Sequence, residues 1–77
     1  MTDTKTPAEL AFAVRLQETR KEMGITQFQL ADKAGLTPAH VSLYEKGMSA
    51  PQLGALYRLA QATGRSIAWL VGEEGEP

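Results

Sequence analysis

The chain has 77 residues, 43% of them apolar, which allows one domain around one small core, near the lower size limit for folding without a staple. It contains no cysteine, so a disulfide framework and a Cys-based zinc site are both excluded, and helix packing must supply the stability. The net charge of −1 argues at first against nucleic acid, but Glu73, Glu74 and Glu76 are three of the nine acids, leaving residues 1–72 with eight basic side chains against six acidic ones.

In chain order, Ala8 to Met23 reads as a first helix, with Phe12, Leu16 and Met23 near one face and Leu10, Ala13 and Val14 beside it. Gly24 ends it. Thr26, followed three residues later by Gln29, forms a capping box in which each side chain satisfies an orphan backbone donor, and it predicts a second helix to Ala34. Gly35 can take the positive φ of a short turn. Thr37-Pro38 then reads as an N-cap with Pro at the first helical position, opening a third helix to Lys46. Gly47 stops that helix, Pro51 starts a fourth carrying Leu53, Leu56, Leu59 and Ala60, and Gly64 stops it in turn. Ser66 caps a short fifth helix, Ile67 to Val71.

There is no strand-like alternation, internal repeat or low-complexity segment, so the expected fold class is all-α. The expected organisation is a disordered N-terminus at 1–6, one domain at 7–72 and an acidic, solvated tail at 73–77. No apolar run approaches the roughly 20 residues that span a bilayer, and MTDTKTPAEL puts a Pro and an acid where a signal peptide has its apolar stretch. A soluble, unprocessed protein with no membrane partner is expected.

The informative segment runs from Gln27 to Lys46, where two short helices meet across a turn of about three or four residues. Ala31 lets the helices approach, Gly35 makes the turn, and Val41 is the apolar knob of the second helix. Leu30, Ala34, Leu36 and Tyr44 are expected to complete their shared core.

These residues, together with RLQETRKEMGITQFQLADKAGL, VSLYEKGMSAP, LYRLAQATG and SIAWLVG, resemble the Cro and phage-repressor (XRE) type of helix-turn-helix over about Leu16 to Val71. The resemblance implies a compact five-helix, lambda-repressor-like fold and a cytoplasmic, bacterial or phage-encoded regulator of transcription. It makes Thr37 to Lys46 the recognition helix in the major groove of double-stranded DNA, and it implies a homodimer on a palindromic operator. Carried over by position, Pro38, Ala39, His40, Ser42 and Leu43 are the base-reading residues. Gln27 and Thr37 are phosphate contacts, joined by Lys46, Gly47, Met48 and Ser49, with Arg15, Lys33 and Arg58 as weaker candidates. Arg20 and Glu45 form a structural ion pair in such relatives.

Pro38, Ala39 and Leu43 offer only apolar contact, for instance to thymine methyls, so polar readout falls to His40 and Ser42. The resemblance also points to Arg65, Ile67, Trp69 and Leu70 for the dimer interface. Each singled-out residue has a plainer reading. His40, the only histidine, lacks partners for a metal site; Trp69 is core or dimer surface rather than a ligand platform; Met23 is core filler and Met48 a loop tip. No cofactor or metal is expected. Nor is an enzyme, since the chain shows no nucleophile-base pair, Gly-rich phosphate loop or paired carboxylates. The competing function is a protein-interaction module of the same fold, such as a toxin-binding antitoxin, which the near-neutral charge and the apolar Ala39 and Leu43 allow.

Overall fold

The computed structural model describes residues 5–73, and among these it forms five α-helices and no strand: α1 (Pro7–Glu22), α2 (Gln27–Ala34), α3 (Pro38–Glu45), α4 (Leu53–Thr63) and α5 (Ile67–Leu70). Four of the five open on a hydroxyl that accepts a hydrogen bond from a backbone N–H of the first turn: Thr6, Thr26, Thr37 and Ser66. Gln52 opens α4 with no side-chain cap, and the helix begins at Leu53 instead of at Pro51, two residues later than expected.

At Thr6 the expected disordered segment 1–6 meets a formed helix cap, which corrects the expectation for that residue. Its hydroxyl accepts from the Glu9 N–H at 3.1 Å, the Glu9 carboxylate accepts from the Thr6 N–H at 2.8 Å, and Pro7 occupies the first helical position. At the other end, Glu73 N–H donates to the Ala68 carbonyl at 2.8 Å, so this residue closes the last turn. Residues 1–4 and 74–77 of the two expected tails lie outside the described residues.

The Thr6 N–H, and secondarily the Thr6 hydroxyl, hold the Glu9 carboxyl below the ordinary glutamate value. A folded pKa lower than the unfolded one stabilises the turn above the ordinary carboxylate range, and that contribution is lost as pH falls through the folded value. Acidification should therefore release the Thr6 amide proton, seen in an NMR titration as an upfield shift with a midpoint below the ordinary glutamate value. A Thr6 amide that ignores acidification would remove Glu9 from the cap.

Periodicity places the core. Phe12, Leu16 and Thr19 form the inward stripe of α1, and they meet Leu30, Ala31 and Ala34 of α2, Val41 and Tyr44 of α3, Leu59 and Ala60 of α4, and Trp69 and Leu70 of α5. Leu16, Leu30, Val41, Leu59 and Leu70 are wholly buried, each contributing about 1.5–3 kcal/mol of transfer free energy. Phe12 and Tyr44 meet edge to face with ring centroids 6.1 Å apart, joining α1 to the third helix. Leu36 packs against this cluster half-buried. Met23 does not join it: as the C-cap of α1 it lies past the last inward position and is exposed, as are Leu10 and Val14 on the helix's outer side.

Gly35 has φ +68°, the left-handed conformation that lets Leu36 N–H reach back to the Ala31 carbonyl at 2.8 Å and turns the chain into α3 within three residues. The result is α2 and α3 packed together, α1 lying against α3 and α5, and α4 covering α2.

Candidate nucleic-acid interface

Val41, Tyr44 and Glu45 point inward from α3, which by helical geometry leaves Ala39, His40, Leu43 and Lys46 along its exposed side. Pro38 and Ser42 are half-buried at the margins of that side. Of the five expected base-reading residues, three therefore stand on the open face, and Lys46 is its only cation. Thr37 is exposed at the N-cap, and Met48 and Ser49 are exposed on the loop after Gly47.

Behind α3 lies a polar network. The Arg20 guanidinium grips Glu45 with two parallel bonds, Nε to Oε2 at 2.6 Å and Nη2 to Oε1 at 3.1 Å, and its Nη1 donates to the Ile25 carbonyl at 2.9 Å. The Glu45 side chain is 1% exposed and that of Arg20 13%. The hydrogen bonding of Arg20 to Glu45, more than their simple charge attraction, raises the Arg20 pKa above its ordinary value.

Gln27 belongs to the same network, which local pattern did not reveal: its Nε2 donates to Glu45 Oε1 at 2.9 Å. A carboxamide has two N–H donors, so this bond fixes the side chain through one of them and leaves the other at the start of α2. The N-terminus of α2 is itself closed by the Thr26–Gln29 capping box, with bonds of 2.8 and 3.0 Å.

Two of the weaker cationic candidates have structural partners. Arg58 Nε donates to the Ala34 carbonyl at 3.0 Å, so this α4 residue clamps the last turn of α2. Arg15 donates to the Trp69 carbonyl and lies 4.7 Å over the indole, on the α1–α5 side. Lys33 is exposed on α2.

The residues expected at the dimer interface divide. Leu70 is 0% exposed and Trp69 8%, the indole lying between the Arg15 and Arg65 guanidiniums with Arg65 4.6 Å from its centroid. Both are core residues of the single chain, on the helix that packs against α1 and α4. Ile67 is half-buried, and Arg65 pairs with Glu22 at 2.9 Å.

His40 carries one further feature. Its Nδ1 lies 3.0 Å from the Thr37 hydroxyl, and its ring runs nearly parallel to that of Tyr44, at 13° and 6.1 Å between centroids.

The helix-turn-helix family model matches residues 16–70, which is most of the chain and includes every element of this face. The chain belongs to the helix-turn-helix family. Within it the fold is of the Cro and phage-repressor type. The chain is 42% identical over 50 residues to an HTH-type transcriptional regulator of Methanothermobacter thermautotrophicus, a match covering 65% of this chain and 72% of that protein. It is 38% identical over 60 residues to the immunity repressor protein of Bacillus phage phi105, covering 78% of this chain and 42% of the repressor. This helix-turn-helix chain thus spans under half of that relative. In fold it matches the P22 c2 repressor, solved in complex with a synthetic operator, at a TM-score of 0.79 and 24% identity, over 82% of this chain and 96% of that one.

Proposed function

We propose that this protein is a sequence-specific DNA-binding regulator of transcription, a repressor that works as a homodimer on a palindromic operator. The supporting observation is the two-sided third helix. Val41, Tyr44 and the bonded Glu45 fix α3 from behind, while Ala39, His40, Leu43 and Lys46 stand exposed in front, on a cylinder of the width the major groove admits. Ala39 and Leu43 read thymine methyls. The free donor of Gln27, Lys46 and the Gly47–Ser49 loop position the helix on the phosphates, while the Thr37 hydroxyl caps α3 and meets His40. One α3 covers about half a turn of duplex, so two chains on two half-sites form the working unit, meeting through the face that holds Arg65 and Ile67. The family is one of DNA-binding regulators rather than catalysts. No helix among the described residues is long and apolar enough to cross a membrane, and a regulator of this kind works where its DNA lies, in the cytoplasm.

Gel shift on the promoter beside its own gene tests the proposal. Saturable binding of two chains to one two-fold site is expected, with log K falling against log salt by roughly 0.9 per phosphate neutralised, for about four phosphates per chain. Replacing the thymines under Ala39 or Leu43 by uracil should weaken binding. No saturable site, with a flat salt response, would favour the protein-interaction reading that the chain's net charge of −1 and the apolar Ala39 and Leu43 leave open.

A further inference from the structure

We propose that Thr37 locks His40 in the tautomer protonated at Nε2, so that the recognition helix presents a fixed hydrogen-bond donor to an acceptor atom on the DNA. The inference rests on the DNA-binding reading of α3 and assigns its one imidazole a polarity.

The argument concerns one oxygen. Thr37 Oγ1 accepts from the His40 backbone N–H at 3.2 Å, the bond that caps α3. A hydroxyl has one hydrogen of its own to give, and the ring nitrogen Nδ1 is 3.0 Å away. Donation from Oγ1 to Nδ1 uses both functions of the hydroxyl and requires Nδ1 to be bare, which puts the ring proton on Nε2. The opposite tautomer makes Oγ1 accept twice from the same residue and turns its hydrogen out to solvent, so only the first arrangement closes the hydroxyl's donor within the helix. The buried Tyr44 ring lies 13° from parallel to the imidazole, at 6.1 Å between centroids. His40 is exposed and its Nδ1 is the nitrogen beside the cap, which leaves Nε2 as the ring nitrogen not engaged by Thr37.

A glutamine at this position would carry a donor and an acceptor and could suit either kind of base edge. A locked Nε2–H is a donor only. It suits guanine O6 and N7, adenine N7, thymine O4 or a phosphate oxygen, and it is refused by the amino edge of cytosine. Thr37 is thus a positioning residue, and His40 the group that touches the DNA.

Nitrogen-15 NMR of the imidazole in the full chain, at a pH where the ring is neutral, reads the tautomer without DNA. Nε2 should be the protonated nitrogen. Thr37→Ser should keep this state, and Thr37→Val should mix it with the other while circular dichroism confirms that the domain is folded. A wild-type ring protonated at Nδ1, or a tautomer ratio indifferent to Thr37→Val, would overturn the lock.

On a duplex selected from a random pool by the wild-type protein, His40→Ala should lose about 2- to 10-fold in affinity, the range of one hydrogen bond. Substituting 7-deazaguanine or a methylphosphonate at the contacted nucleotide should cause the same loss in the wild type and none in His40→Ala. The first substitution identifies a base and the second a phosphate as the acceptor. If His40→Ala binds the selected duplex as tightly as the wild type, the contact does not exist. If no duplex can be selected, the DNA-binding reading itself falls, whatever the NMR shows.

Discussion

Replacing Arg20 by Met should destabilise the domain by about 3–5 kcal/mol, the cost of leaving one member of a buried pair without the other. The guanidinium gives Glu45 two bonds of 2.6 and 3.1 Å, and the carboxylate is 1% exposed, so water cannot replace what is removed. Gln27 would remain as its one partner from the network. At roughly 0.05–0.15 kcal/mol per residue, a chain of 77 residues has a total stability on the order of 4–12 kcal/mol, so the loss is a large share of the whole. Urea unfolding followed by far-ultraviolet circular dichroism should show the drop in midpoint. The double variant Arg20→Met, Glu45→Met should recover most of it, because removing both charges abolishes the desolvation problem. A loss under about 1 kcal/mol in the single variant would mean the pair behaves like an exposed one. The contribution should be constant across ordinary pH as far as Arg20 is concerned. Its folded pKa is raised by Glu45, so the stabilisation is complete below the unfolded arginine value and is lost only as pH rises through the folded one.

Ala39→Glu should separate folding from binding. Ala39 is exposed in the first turn of α3, where a carboxylate interacts favourably with the helix dipole by about 0.3–1 kcal/mol, so stability should hold or rise slightly. Against DNA the same carboxylate stands in the groove among phosphates, and a like-charge juxtaposition of that kind costs several kcal/mol, a loss on the order of a hundredfold or more in affinity. Urea unfolding and gel shift on one preparation would show both effects, with Ala39→Gln as the uncharged comparison. Wild-type affinity in Ala39→Glu would mean that this side of α3 does not face the duplex.

Local grammar carried most of the fold. The Thr26–Gln29 box, Gly35 and the Thr37-Pro38 cap are signals contained within four residues, and each stands where the sequence places it. Thr6 follows the same grammar with Glu9 as its partner, yet it falls in the tail expected at 1–6, because the apolar residues that draw attention to the helix begin only at Leu10. Pro51 carried the opposite error, a plausible first helical residue that the loop passes over before Leu53.

The face of α3 was legible because 3.6-residue periodicity separates Val41 and Tyr44 from Ala39 and Leu43. What the side chains hold was less so. Arg20 with Glu45 was reached through family resemblance, whereas Gln27 on Glu45, Arg58 on the Ala34 carbonyl and Arg15 on Trp69 join positions 18 to 54 residues apart, and no local spacing encodes them. In α5, four residues are too few for a period, so Trp69 and Leu70 could not be assigned to the core from pattern alone.

The indole between Arg15 and Arg65 belongs to the only tryptophan of the chain. It joins α1 and α5, neither of which carries a residue proposed to read bases. The protein's single dominant fluorophore thus monitors closure of its first and last helices, and its emission follows the integrity of the scaffold on the side away from the exposed face of α3.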